Sequence, residues 1–242
     1  MKKYLSFGGG VNSVAMMLML LDQGDEFEAI FVDHETDWPE TYEYLDMFQS
    51  WLSKQFYNRI TVLKPNVGTI EKKRFKSLYD YHYFKSLTPS IQFRACTDKF
   101  KIQPILKYVT KPCFMLIGID AGEIKRAKIS SNKGVENRYP LIEYEIDRQG
   151  CKDIITAHNL PIPMKSGCYI CPFQKKSQWI ELRKIHPDLF CKADQIEKRS
   201  NERRGTKKRY LSGSGKSLKT IVNENQMNLF EEDDYPPCEC GL

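Results

Sequence analysis

Tyr4-Leu5-Ser6-Phe7-Gly8-Gly9-Gly10-Val11-Asn12-Ser13 decides the reading of this chain: a short apolar strand runs into three glycines, and a small hydroxyl residue opens an apolar-periodic segment. After a buried strand the chain must turn sharply to start a helix, and glycines without Cβ let backbone N–H groups point inward at an anion. Asn12 and Ser13 suit a helix start, and Val14, Met17, Leu18 and Leu21 recur at one-face spacing, so the helix N-terminus aims at the glycine loop. The loop reads as a phosphate cradle. It has neither the Gly-Lys-Ser/Thr of a Walker A loop nor the Gly-x-Gly-x-x-Gly of a dinucleotide turn.

The 242 residues suffice for one α/β domain with a smaller appendage. No apolar run is long enough to span a bilayer, and Met1-Lys2-Lys3 leads straight into a strand, so a cytoplasmic location without membrane contact is expected. Eight cysteines in such a chain point to metal binding, redox chemistry or burial before a disulfide framework. The net charge of +6 is uneven: Lys198 to Lys219 is basic, and Glu231-Glu232-Asp233-Asp234 is acidic. The basic stretch suits a nucleic acid, a polyanionic nucleotide or a solvated surface.

Further along, Glu28 to Asp33 reads as a second parallel strand ending in an acid, joined to the first by a right-handed crossover. Pro39 and Glu40 suit the first turn of a helix that continues through an amphipathic segment from Tyr42 to Phe56. Ile60–Leu63 and Phe114–Asp120 are further strands. The aromatic stretch from Val67 to Phe93 is either a packing cap or a cover for substrate. Gln178 to Phe190 reads as a helix, Glu197 to Arg209 as an exposed basic segment, and Leu211 to Lys216 as a flexible linker. The expected organisation is an α/β domain over 1–175, a basic helical extension over 176–210 and a flexible tail over 211–242.

Gly167-Cys168-Tyr169-Ile170-Cys171-Pro172 is a second signal. Two cysteines separated by two residues can converge on one ion, but they supply half of a tetrahedral site. Cys151, Cys191, Cys238 and Cys240 are all open as partners, and spacing does not separate zinc from an iron–sulfur cluster. A metal-free pair packed in a turn is the plain alternative. The histidines, His34, His82, His158 and His186, receive no ligand role.

These stretches carry a resemblance. Against the Ser-Gly-Gly-x-Asp-Ser of the PP-loop, Gly8 stands for Ser, Gly9 and Gly10 match, Asn12 replaces Asp and Ser13 matches. Pro39-Glu40-Thr41, the run from Cys96 through Lys99 or Lys101 to Pro104, Gly118 with Glu123 and Arg126, and Tyr139-Pro140-Leu141 follow in order. The chain resembles the phosphoadenylyl sulfate reductase-like branch of the PP-loop ATP pyrophosphatase and adenine nucleotide alpha hydrolase superfamily.

The resemblance implies a Rossmann-like parallel sheet of five strands with helices on both faces and the nucleotide at its carboxyl edge. It implies ATP and magnesium as cofactors, with Ser6, Gly8, Gly9, Gly10, Asn12, Ser13, Asp33, Gly118 and Glu123 as contacts. Lys99 or Lys101, and Arg126, would neutralise charge on the leaving group. A 4Fe-4S cluster is favoured over zinc, with Cys96, Cys168, Cys171 and Cys240 as ligands. The implied reaction is substrate adenylation for sulfur transfer, in thiolation of tRNA, DNA or a small molecule, with a cysteine desulfurase or another donor supplying sulfur. Asp120 stands where relatives often carry Arg, which speaks against sulfate binding.

Two alternatives remain. Cys238-Glu239-Cys240-Gly241-Leu242 resembles the Glu-Cys-Gly-Leu-His terminus of phosphoadenylyl sulfate reductases, whose Cys is the nucleophile, so Cys240 could attack an adenylyl sulfate. A non-catalytic nucleotide- or nucleic-acid-binding module is the other, and Gln226-Met227-Asn228-Leu229-Phe230 is similar to a sliding-clamp docking peptide. The oligomeric state is left open.

Overall fold

The computed structural model describes residues 1–56, 59–70, 73–164, 166–204 and 208–224. Strand β1 (Lys2–Ser6) buries Tyr4 and Leu5, and helix α1 (Val11–Asp22) follows it across the glycine turn. Next come β2 (Glu28–Val32) and α2 (Pro39–Gln55), with Pro39 in the first turn and Glu40 near the positive helix end. β3 (Ile60–Leu63) precedes a small antiparallel hairpin of β4 (Val67–Ile70) and β5 (Lys73–Phe75). α3 (Leu78–Lys85) starts where the Ser77 hydroxyl accepts the Asp80 N–H.

α4 (Ala95–Thr97) runs through a π-helical turn over Asp98–Ile102 into α5 (Gln103–Tyr108). β6 (Cys113–Ile117), β7 (Val135–Arg138), α6 (Pro140–Glu143) and α7 (Arg148–Ala157) follow. The described chain closes with α8 (Lys176–Ile185), α9 (Pro187–Arg204) and α10 (Leu218–Glu224).

The main sheet has the five parallel strands expected from the sequence, in the order β3-β2-β1-β6-β7. The chain builds outward from β1 to β3 on one side and then returns to β6 on the other. In an open α/β sheet such a reversal leaves a crevice at the carboxyl ends of the two central strands, where ligands bind. α1 lies over this centre, with ten of its twelve residues buried and α7 packed against its outer side. An apolar surface all round a helix requires such burial on both faces.

A second core joins Trp38, Phe75, Tyr81, Phe100, Ile170, Trp179, Leu182, Phe190, Leu211 and Leu218. It changes three sequence expectations. The helix expected over 178–190 is two helices, because Pro187 has no N–H to continue the first one. Residues 211–224 are not a free linker: Leu211, Leu218 and Ile221 are buried, and α10 is formed. The segment from Glu197 is only partly exposed, since Glu197 and Ser200 face inward. The boundary expected at 175 therefore runs through one continuous core.

Candidate active site

An open cavity of about 590 Å³ occupies the crevice. Ser6, Gly8, Gly10, Asn12 and Ser13 line it from β1 and the start of α1, and Gly118 lines it from just beyond β6. The turn is locked from within: the Ser13 hydroxyl donates to the Gly10 carbonyl at 2.9 Å and accepts from the Gly8 N–H at 3.3 Å. Gly9 does not line the cavity; its φ of +69° is the left-handed conformation glycine adopts freely, and a Cβ there would meet Thr41 Cγ2 at 3.1 Å. A Cβ on Gly118 would lie 3.1 Å from the backbone of both Asn12 and Ser13, so the close approach of the chain beyond β6 to the start of α1 needs a glycine. The first turn of α1 carries no acid, which leaves its N–H groups and helix field to an anion.

Lys101, Arg126 and Arg148 bring positive charge to the cavity wall, and Glu123, paired with Arg126, also lines it. Arg148 is absent from the sequence-derived set. It donates to Asn12 Oδ1 at 2.6 Å, while Asn12 Nδ2 donates to Asp120 Oδ2 at 2.9 Å. This network fixes Asn12 and gives Asp120 a local role in place of the missing Arg.

Two further expected residues, besides Gly9, lie elsewhere. Asp33 is not part of the cavity lining; it accepts from Lys64 at 2.6 Å, the Glu35 N–H at 2.8 Å and the Tyr42 hydroxyl at 3.0 Å. Burial alone would raise its carboxyl pKa, but these donors outweigh burial and hold it below the usual carboxylate range. Asp37 lines the cavity from the same connection. Lys99 donates to the Tyr81 hydroxyl at 3.1 Å, outside the lining. In the π turn Phe100 is fully buried, and its neighbours Lys99 and Lys101 part, one onto Tyr81 and the other to the cavity.

A second, small pocket of about 20 Å³ adjoins this wall, lined among others by Cys96, Cys168, Cys171, His34 and Lys101. Backbone pairing assembles it: the Trp38 N–H donates to the Gly167 carbonyl at 3.1 Å and the Tyr169 N–H to the Thr36 carbonyl at 3.0 Å. Cys168 is thereby set beside His34, with Sγ 3.6 Å from Nε2. The same Nε2 lies 3.5 Å from Asp37 Oδ2, and Nδ1 of this fully buried ring has no hydrogen-bond partner. Burial pushes the His34 pKa below the usual histidine range, Asp37 opposes that and Lys101 reinforces it.

Among the described residues, the other sequence-derived thiols do not join this pocket. Cys151 sits in the core around α1, its pKa pushed up to about 12 by burial, and Cys191 is exposed on α9. Cys238, Cys240, the Gln226–Phe230 peptide and the acidic run 231–234 lie outside the described residues. Three thiols with an imidazole are the donor chemistry of a 4Fe-4S cluster or a zinc ion, and of this lining His34 and Cys168, together with Asp37, have donor atoms within 4.8 Å of one another. Lys101 is common to both pockets.

Residues 2–137, more than half of the chain, match the phosphoadenosine phosphosulfate reductase domain. The chain belongs to that family. It is thus a member of the reductase-like branch of the PP-loop superfamily, and the matched span contains the glycine loop, His34, Cys96, Lys101 and Arg126 but stops before Cys168. An uncharacterised protein of Methanocaldococcus jannaschii is 23% identical over 209 residues, covering 80% of this chain and 47% of that protein. The chain therefore spans about half the length of that curated relative. Among solved structures, the U34-tRNA thiolase NcsA from Methanococcus maripaludis with its 4Fe-4S cluster aligns at a TM-score of 0.46 and 14% identity, over 86% of this chain and 74% of that one. Among the described residues, no helix is long and apolar enough to cross a membrane.

Proposed function

We propose that this family member is an ATP pyrophosphatase-type enzyme that adenylates an oxygen of its substrate so that sulfur can replace it. The observation that supports this reading best is the shared wall: Lys101 borders both the anion cavity and the thiol pocket. Nucleotide activation and sulfur handling would then take place side by side.

In the reaction, a substrate oxygen attacks the α-phosphorus of ATP, the α–β anhydride bond breaks and pyrophosphate leaves. A sulfur nucleophile then displaces AMP from the activated carbon. The N–H groups of the loop from Gly8 to Ser13 and the start of α1 bind the departing pyrophosphate. Lys101 and Arg126 neutralise the charge that grows on it, and such preorganised charge is usually the largest single contribution to rate. Arg148 and Asp120 hold Asn12 in the loop. Magnesium would add further positive charge between the phosphates. Cys96, Cys168 and Cys171 would hold the metal centre, which as an iron–sulfur cluster supplies a place for sulfur to bind. The basic C-terminal helices make tRNA or DNA the substrate class to test first.

The family match also supports a second reading, reduction of phosphoadenylyl sulfate with Cys240 as nucleophile. One experiment separates the two. The full chain, purified without oxygen, is given ATP, sulfide and either bulk tRNA or denatured DNA, and the products are resolved. AMP and pyrophosphate in equal amounts are expected, with a rate about a hundredfold lower in Lys101→Met, the scale for losing one preorganised charge contact. ADP and phosphate as products, or no ATP cleavage with either nucleic acid, would overturn the adenylation reading. Sulfite release from phosphoadenylyl sulfate that depends on Cys240 would establish the reductase instead.

A further inference from the structure

The glycine turn brings few hydroxyl donors of its own to the anion cavity. Ser13 spends its hydroxyl hydrogen inside the turn, on the Gly10 carbonyl at 2.9 Å. The PP-loop pattern opens with Ser, and this chain has Gly8 there. A distant part of the chain sets a hydroxyl against the turn instead. Ser166 lines the cavity, and its Oγ lies 2.6 Å from the place a Cβ on Gly10 would take. Gly10 immediately precedes α1, so this hydroxyl stands beside the helix N-terminus to which an anion is drawn. Ser166 is half-buried, and among the described residues its side chain makes no hydrogen bond. Such a hydroxyl on a cavity wall is a donor available to whatever fills the cavity. The backbone pairing of the thiol segment holds it in place, since the next residue, Gly167, accepts the Trp38 N–H at 3.1 Å. The matched family span ends at residue 137 and does not reach it.

We propose that Ser166 is a phosphate-binding residue, its hydroxyl donating to the pyrophosphate end of a nucleotide seated on the turn from Gly8 to Ser13. This rests on the proposed reading in that the cavity takes the phosphates of ATP, and not on the acceptor or on the metal centre. Lys101 and Arg126 bring charge to the same cavity, whereas a hydroxyl brings one directed hydrogen bond. The arrangement also gives Gly10 its reason. Its backbone is extended, with φ −97° and ψ 168°, a conformation any residue adopts. It is therefore Ser166, and not the turn, that a side chain at position 10 would disturb.

Calorimetry of the full chain with magnesium pyrophosphate, a non-cleavable ATP analogue and adenosine tests this. Ser166→Ala should weaken pyrophosphate and the analogue about tenfold each, the scale of one hydrogen bond to a charged group, and leave adenosine unchanged. Gly10→Ala should weaken the same two ligands by moving the hydroxyl aside. In the Ser166→Ala background it should cost nothing further, because the remaining Cβ of residue 166 lies 3.6 Å from the new methyl, an ordinary contact. Losses that add in the double variant would show the two positions acting separately, and would overturn the proposal. Unchanged pyrophosphate affinity in Ser166→Ala, or an equal loss for adenosine, overturns it too. Each of these results leaves the proposed function standing. A wild-type chain that binds neither pyrophosphate nor the analogue overturns the proposed function, and this inference with it.

Discussion

Gly118 and Gly10 both border the cavity, and both would be filled by a methyl group, but the neighbours differ. A Cβ on Gly118 meets the Asn12 and Ser13 backbone at 3.1 Å, and backbone at the start of a buried helix cannot rotate aside. A Cβ on Gly10 meets Ser166 Oγ at 2.6 Å, a side chain on the cavity wall that can turn away. Gly118→Ala should therefore destabilise the fold by about 1–3 kcal/mol, the usual cost of overpacking. Gly10→Ala should cost less than about 1 kcal/mol, within the range of ordinary substitutions. Urea unfolding of the two variants checks the difference, and equal losses would mean that the loop, not the side chain, yields at Gly10. Both variants should weaken ATP binding by calorimetry, because each displaces a group that lines the cavity proposed to hold the phosphates.

At the level of elements, α9 organises the C-terminal part through one carboxylate. Glu197 accepts the backbone N–H of Leu211 at 2.9 Å through one oxygen and that of Leu218 at 3.1 Å through the other. Burial, only partly offset by these N–H donors, pushes its pKa up from 4.5 to about 7. Between those values the folded chain holds a proton that the unfolded chain has lost, so stability falls as pH rises, by about 3 kcal/mol in all. His82 acts with the opposite sign. Burial lowers its pKa from 6.5 to about 4, so there the unfolded chain holds the extra proton and stability rises with pH. Glu197→Gln removes the falling limb alone. Its stability between pH 4.5 and 6.5 should therefore rise more steeply than that of the wild type, by about 1.4 kcal/mol per pH unit. The amide turns an N–H group toward one of the two backbone donors, a loss of about 1 kcal/mol that does not depend on pH. Denaturation midpoints across this range decide it, and parallel curves would refute the assignment. The sequence hid this element because its many Lys and Arg residues suggest a solvated helix. The inward set of Phe190, Ala193, Ile196, Glu197 and Ser200 has helical spacing, but a carboxylate and a hydroxyl within it disguise a buried face.

Across the whole molecule, what the sequence revealed follows from how far apart the cooperating residues lie. The glycine loop and the Cys168–Cys171 pair are local, and turn chemistry or ligand spacing exposes them directly. Asn12 with Arg148, and His34 with Cys168, are separated by 136 and 134 residues, and only the closed sheet and the Thr36–Trp38 pairing bring them together. The choice between Lys99 and Lys101 was similarly invisible, since it depends on which way a π turn anchored by Phe100 rotates two adjacent cations. That choice has a molecular consequence. A polyphosphate bound in the cavity brings negative charge to Lys101 and cancels part of the field this ammonium exerts on the thiol pocket. A metal centre there becomes harder to reduce, and linkage requires that reduction weaken nucleotide binding by the same factor. The coupling should be on the order of 1 kcal/mol, or about fivefold in affinity, the lower end of typical site-to-site coupling. Potentiometric titration with and without a non-cleavable ATP analogue measures it directly. The nucleotide-dependent shift should disappear in Lys101→Met and persist in Lys99→Met, whose ammonium is held by Tyr81. A shift that survives the loss of Lys101 would place the link between the two pockets elsewhere, in the Asp37–His34 contact that also spans them.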